Sequence, residues 1–108
     1  MEELYINQVQ FVGKIGKAAE EFKGGMWFTL MVGRSGHKGY VSVLCYNKYL
    51  FEYFKRYVHQ GNLNKRVYVQ GEILFPAEAS KAILMKLTDI KAIDELIDAD
   101  AVIDFSED

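Results

Sequence analysis

The spacing of apolar residues restricts the fold of this chain more than any other feature. Apolar and polar residues alternate with a period of two, which predicts β-strands, over residues 6–15, 26–32, 40–46, 66–74 and 82–90. A single segment, 48–59, has helical spacing instead, through Leu50, Phe51, Phe54 and Val58. Asn47 is the expected N-cap of this helix, and Gly61 is expected to end it. The predicted order is three strands, one helix and two strands.

This order of elements favours a small closed sheet, because closure removes exposed strand edges. Five strands with one helix between the third and the fourth form the arrangement of an all-β OB-fold barrel. Glycines 13 and 16 interrupt the first strand as a bend or bulge would. Residues 33–39 are rich in glycine and predict a hairpin loop. We expect residues 1–91 to form the barrel and residues 92–108 to form an acidic tail or a short helix.

Charge is distributed unevenly between these two segments. Residues 1–91 contain all thirteen Lys and Arg against eight Asp and Glu, a net charge of +5. Residues 92–108 contain seven acidic residues and no Lys or Arg, a net charge of −7. The value of −2 for the whole chain hides both numbers. A basic body with an acidic C-terminal segment predicts a polyanion-binding protein that contains its own competing anion.

Several functional classes receive no support from the sequence. No apolar run approaches the roughly 20 residues that span a membrane, and no signal peptide is evident. The single cysteine, Cys45, cannot form an internal disulfide and is expected to be buried in a strand, which favours a cytoplasmic protein. His37 and His59 have no partner at metal-ligand spacing. We therefore expect no enzyme activity, no metal and no cofactor.

Aromatic residues on the predicted strands are the strongest functional signal. Alternation directs one set of side chains into the barrel, namely Phe28, Leu30, Val32, Val41, Val43 and Cys45. Trp27, Tyr40 and Tyr46 then lie outside, beside Arg34, Lys38 and Lys48. Such a surface can stack nucleic-acid bases and neutralise phosphates. Alternatively, strand aromatics pack against neighbours or against another subunit. Lys14 and Lys17 either line a groove or solvate a strand end.

Four stretches in order resemble the OB-fold single-stranded DNA-binding proteins of bacteria and phages: 7–14, 28–32, 43–61 and 66–73. The most recognisable piece is Val67-x-Val69-x-Gly71. The resemblance implies binding of single-stranded DNA without sequence specificity, during replication and recombination. It also implies a homo-oligomer, either a dimer or a tetramer. A protein-interaction module and a relative specialised for RNA or a primosomal complex stay open as alternatives.

The resemblance also implies roles for individual residues. Tyr40 and Tyr46 occupy positions of the family's stacking aromatics. Gly36 stands where the family often has Trp, and Phe75 lies only near the position of another Trp. We therefore expect Trp27 and Phe75 to compensate. The expected phosphate-binding residues are Lys14, Lys17, Arg34, Lys38 and Lys48.

The C-terminal segment resembles the family in kind. Bacterial members end in acidic residues followed by a terminal Phe that partner proteins recognise, and Ile103, Asp104 and Phe105 are similar. Three further residues follow here, which displaces the terminal carboxylate. Ile93 and Ile97 also lie near helical spacing. A short helix packed on the barrel or in an oligomer is therefore the alternative to a free partner-binding tail.

Overall fold

The computed structural model describes residues 6–75 and 83–98. The predicted order of three strands, one helix and two strands is confirmed. The elements are β1 (Val9–Phe22), β2 (Gly25–Arg34), β3 (His37–Cys45), α1 (Lys48–Tyr57), β4 (Arg66–Leu74) and β5 (Ile83–Ala92), with a short 3₁₀-helix at Gln60–Asn62 before β4. Within the described residues, no helix is long and apolar enough to span a membrane.

The five strands form a closed barrel in the order β1-β2-β3-β5-β4. All neighbouring pairs are antiparallel except β3 and β5, which are parallel. This order, with the helix between β3 and β4, is that of an OB fold. The predicted all-β barrel is therefore confirmed.

Strand β1 is longer than the sequence predicts, since it continues past Ile15 to Phe22. Its register against β2 shifts between Ile15 and Lys17, where Gly16 lies, and again between Lys17 and Glu20. These shifts are β-bulges, which bend a strand without ending it. The expected end at Ile15 is wrong because the polar residues beyond it lie on the bulged part of the strand.

The barrel interior confirms the predicted inward face of β2 and β3. Phe28, Leu30, Val41, Val43 and Cys45 are all fully buried, whereas Val32 at the strand end is half-buried. Burial raises the pKa of the Cys45 thiol, and the carbonyl of Asn47 that accepts its hydrogen bond is a smaller, opposing influence. The expected buried strand thiol is confirmed.

Helix α1 closes one end of the barrel. Phe54 is its buried residue, and its ring meets Phe28 edge-on at 5.3 Å between centroids. Asn47 is the predicted N-cap, with its side-chain oxygen accepting a hydrogen bond from the Tyr49 N–H at 2.9 Å. The helix ends at Tyr57, and Gly61 lies in the following 3₁₀-helix. The expected stop at Gly61 is therefore wrong.

The connection between β2 and β3 is shorter than the predicted loop over residues 33–39. Arg34 pairs with His37 across a two-residue turn, so Lys38 and Gly39 belong to β3. Gly33 and Gly36 have φ values of 98° and 86°. Glycine tolerates this left-handed backbone because it has no Cβ to clash. The two glycines therefore tighten the hairpin and extend both strands.

Buried Asn62 fastens the segment that follows β5 to the barrel. Its side-chain amide donates to the carbonyls of Tyr57 and Ile97, at 2.8 and 3.0 Å, and its oxygen accepts from the Ile97 N–H at 2.8 Å. His59 Nε2 also lies 2.8 Å from the Ile97 carbonyl. Residues 93–98 contain no helix. The predicted partner-binding residues 103–105 lie outside the described residues.

Gly71 is a glycine that the barrel should tolerate poorly when replaced. A Cβ at this position would overlap the Lys86 carbonyl oxygen and lie 2.7 Å from the Met85 methyl carbon. We expect Gly71→Ala to lower the free energy of unfolding by about 3 kcal/mol, since the crowded atoms must shift. Gly39→Ala is the matched control, because nothing lies within 4 Å of its added Cβ. Urea unfolding measures both, and equal losses would contradict this explanation of Gly71.

Candidate nucleic-acid interface

The outer face of β1, β2 and β3 carries the residues that the sequence singles out. The strand register arranges its outward residues in three rows, namely Lys14–Met31–Tyr40, Lys17–Thr29–Ser42 and Glu20–Trp27–Leu44. We call this surface the platform. It presents one aromatic residue near each end and basic residues along the β1 side.

Trp27 is a half-buried member of the platform. The Lys17 ammonium lies 5.0 Å from the centre of its ring, within the range of a cation–π contact. The same ammonium lies 3.4 Å from a carboxylate oxygen of Glu20. The Lys17 ammonium therefore already occupies one face of the ring, and a base that stacks on that face must displace it.

Tyr46 follows β3 at one end of the platform. Its ring meets Phe22 at 5.5 Å between centroids with planes 89° apart, an edge-to-face contact. Phe22 and Lys48 line a groove of about 260 Å³ next to the start of α1. The ring of Tyr46 is still 44% exposed, so Phe22 positions it without covering it.

Tyr40 lies at the opposite end of the platform and is 62% exposed. Six residues of extended chain separate it from Tyr46, a distance of roughly 20 Å along the strand. Phe75 lies at the Tyr40 end, because Leu74 before it pairs with Leu84 and Leu84 pairs with Ser42. It is 82% exposed. The four predicted stacking residues are therefore spread along the barrel and form no single cluster.

The five predicted phosphate-binding residues separate into three places. Lys14, Arg34 and Lys38 converge on one pocket of about 350 Å³ beside the β2–β3 turn. Lys17 lies at the middle of the platform, on Trp27. Lys48 lies beyond its far end, next to Phe22. Positive charge is thus present at both ends and in the middle.

Among the described residues, no group of three or more His, Cys, Asp or Glu could hold a metal ion. The surface that the structure presents instead has exposed Tyr40 at one end and half-buried Trp27 and exposed Tyr46 at the other, with cations near them. The chemistry of such a surface is base stacking combined with phosphate neutralisation.

Several solved structures are similar to this barrel. The mitochondrial single-stranded DNA-binding protein of S. cerevisiae has a TM-score of 0.67 and 14% identity, over 83% of this chain and 96% of that chain. The Plasmodium falciparum single-stranded DNA-binding protein in complex with single-stranded DNA has a TM-score of 0.63 and 18% identity, over 87% of this chain and 100% of that chain. A small single-stranded DNA-binding protein of Streptomyces coelicolor has a TM-score of 0.60 and 13% identity, over 84% of this chain and 96% of that chain.

The chain has the OB fold of these proteins. At these identities the likeness shows the fold. No protein-family model matches the chain, and no curated protein matches it. The OB barrel therefore places the platform on a known scaffold.

Two residues of this surface are not predicted as site residues from the sequence. Phe22 supports Tyr46 but lies beyond the predicted end of the first strand. Arg66 lines the same pocket as Lys14, its direct neighbour across the β1–β4 pair. In the sequence, Arg66 is only the first residue of the fourth predicted strand. The β1–β4 pairing of an OB barrel was the one signal that could have brought it next to Lys14.

Asp94 binds Arg66 through both the side chain and the backbone. Nε and Nη2 of Arg66 donate to one carboxylate oxygen at 3.1 and 2.9 Å, and the Arg66 N–H donates to the other at 2.9 Å. These hydrogen bonds lower the pKa of Asp94, and burial opposes them only in part. The same contact raises the pKa of Arg66. Asp94 is thus held in its charged form.

The lowered pKa of Asp94 predicts a pH-dependent contribution to stability. A carboxyl group with a lower pKa in the folded state stabilises that state fully above its ordinary pKa of 3.8. This contribution disappears as the pH falls through the lower, folded value. We expect Asp94→Asn to lower Tm at pH 7 and to lower it by less at pH 2.5, as calorimetry would measure. An equal loss of Tm at both pH values would contradict an ionic origin.

Proposed function

We propose that this chain binds single-stranded DNA without sequence specificity and protects unpaired DNA in replication and recombination. The observation that carries the proposal is the platform, on which Trp27 and Tyr40 face outward with Tyr46 just beyond. Stacking on an aromatic side chain contributes ~1–3 kcal/mol per base, whatever the base, because every base has a π-face. The similar structures of single-stranded DNA-binding proteins support this choice of ligand.

The spacing of the aromatic residues favours an extended strand over a folded nucleic acid. Tyr40 and Tyr46 are roughly 20 Å apart along β3, a span that several unstacked nucleotides fill. Cations at both ends and on Trp27 provide neutralising charge along the same path. A duplex keeps its bases stacked inside and would leave these rings without partners.

Further properties belong to the same proposal. Residues 1–91 form the DNA-binding domain, and residues 92–108 form the acidic segment. The protein assembles as a dimer or a tetramer in the cytoplasm. Ile103, Asp104 and Phe105 bind partner proteins of replication or recombination. Sedimentation of the free protein tests the assembly.

The stacking assignment is tested by replacing one exposed ring at a time. Trp27 is the only tryptophan, so its fluorescence reports binding of poly-dT directly. We expect Tyr40→Ala and Tyr46→Ala each to weaken binding by the loss of one stacked base, about tenfold for ~1.4 kcal/mol. Tyr53→Ala is the matched control, since Tyr53 is 50% exposed on α1 and lines a pocket against β5 instead.

If Tyr40→Ala and Tyr46→Ala both bind poly-dT with wild-type affinity, the stacking assignment is wrong. Equal weakening in Tyr53→Ala would show that the loss is not specific to the platform. Competition between dT and rU oligonucleotides of equal length shows whether DNA is the preferred strand. Stronger competition by rU would favour an RNA-binding role.

The end of the chain should weaken DNA binding through its charge. Residues 99–108 contain four acidic residues and no basic residue, and a removed polyanion no longer competes for the cations of the barrel. We expect deletion of 99–108 to tighten poly-dT binding, most strongly at low salt. Cutting after residue 98 retains the hydrogen bonds between Ile97 and Asn62.

The control for this deletion retains the length of the segment. Replacing its four acidic residues with Asn and Gln should tighten binding as much as the deletion does. Tightening by the deletion alone would indicate a steric effect, and unchanged binding in both variants would contradict competition.

A further inference from the structure

Four basic side chains from four different strands meet in the pocket beside the β2–β3 turn. Lys14 comes from β1, Arg34 from β2, Lys38 from β3 and Arg66 from β4. Strand pairing accounts for this arrangement, because Lys14 pairs with Arg66 and Lys38 lies opposite Gly33. Like charges that converge in this way repel each other unless an anion lies among them. The pocket therefore concentrates positive charge that favours an anion.

Only one of these cations has an ionic partner in the part of the chain that the structure describes. Arg66 is bound by Asp94, whereas Lys14, Arg34 and Lys38 form no salt bridge with any residue of 6–75 or 83–98. Within the described residues, Asp94 is therefore the one carboxylate that pairs with any of the four cations. The pocket retains an excess of positive charge that a second anion can neutralise.

The geometry at Arg66 resembles recognition of a phosphate. A guanidinium group binds planar carboxylates and phosphate oxygens with the same paired N–H donors. Asp94 uses one oxygen for two of these donors. The pair is exposed, with 53% of the Arg66 side chain and 31% of the Asp94 side chain accessible. Exposed ion pairs are weak, so Asp94 can be exchanged for another anion.

We propose that this pocket binds a backbone phosphodiester of single-stranded nucleic acid, and that Arg66 exchanges Asp94 for this phosphate when the strand binds. The proposal rests on the proposed function and adds to it a binding residue, Arg66, and a residue that opposes binding, Asp94. The pocket adjoins the Tyr40 end of the platform through Met31, which lines it and pairs with Tyr40. A strand that stacks on Tyr40 therefore brings its next phosphates within reach of the four cations.

Among the four cations of the pocket Asp94 contacts Arg66, which makes the proposal separable from a general effect of charge. Asp98→Asn is the matched control, because it removes the same charge from the same segment. Asp98 pairs with Arg56 of α1 at 3.5 Å, and Arg56 does not line the pocket. We expect Asp94→Asn to tighten binding of dT oligonucleotides several-fold and Asp98→Asn to change it little.

The experiment is a fluorescence titration of the full-length chain with dT oligonucleotides that carry hydroxyl groups at both ends, so that every phosphate is an internal diester. In Arg66→Gln, we expect weaker binding and a log–log salt slope reduced by about 0.7, the value for one lost phosphate contact. When Arg66→Gln is already present, adding Asp94→Asn should tighten binding no more than adding Asp98→Asn does. A thermal melt confirms that each variant is folded.

Three results would overturn the inference. The first is equal tightening by Asp94→Asn and Asp98→Asn, and the second is tightening by Asp94→Asn that persists with Gln at position 66. The third is an unchanged salt slope in Arg66→Gln, a result that decides the matter even if Asp94→Asn fails to fold. In each of these three cases the wild-type protein still binds dT oligonucleotides, so the proposed function is not contradicted. Absence of wild-type binding to dT would overturn the proposed function together with this inference.

Discussion

The pairing of β1 with two other strands is the constraint on which the rest of the structure depends. Its first half pairs with β4 from Val9 to Lys14, and its second half pairs with β2 from Lys14 to Phe22. A strand that joins two neighbours in this way must bend, and the register shifts after Ile15 provide the bend. Lys14 lies where the two pairings overlap. It therefore belongs to both the platform and the pocket beside the β2–β3 turn.

Helix α1 fixes the other end of the platform by packing against the barrel interior. The contact between Phe54 and Phe28 places the helix over the end of the barrel, and the Asn47 cap sets where the helix begins. Tyr46 is the residue between β3 and this cap, so its backbone is determined on both sides. Phe22, at the end of β1, then supports its ring. Tyr46 is held in place by core packing, although it is itself exposed.

The sequence predicts what depends on local periodicity and misses what depends on register. Alternation correctly places Val41 and Val43 inside and Tyr40 outside, because neighbouring side chains of a strand point to opposite faces. It cannot extend β1 through Lys17 and Glu20, since bulges disrupt the alternation there. It cannot place Arg66 beside Lys14 either. That neighbourhood follows from pairing between strands more than 50 residues apart.

The contacts that hold the segment after β5 are of different kinds, and two of them respond differently to a polyanion. The hydrogen bonds of Asn62 with Ile97 are buried and neutral, so neither salt nor phosphate competes with them directly. The pair of Arg66 and Asp94 is ionic and exposed, so both can compete with it. Loss of the ionic contact therefore leaves the segment attached through Ile97. Residues 93–98 can then release the Arg66 guanidinium to a polyanion and stay attached to the barrel.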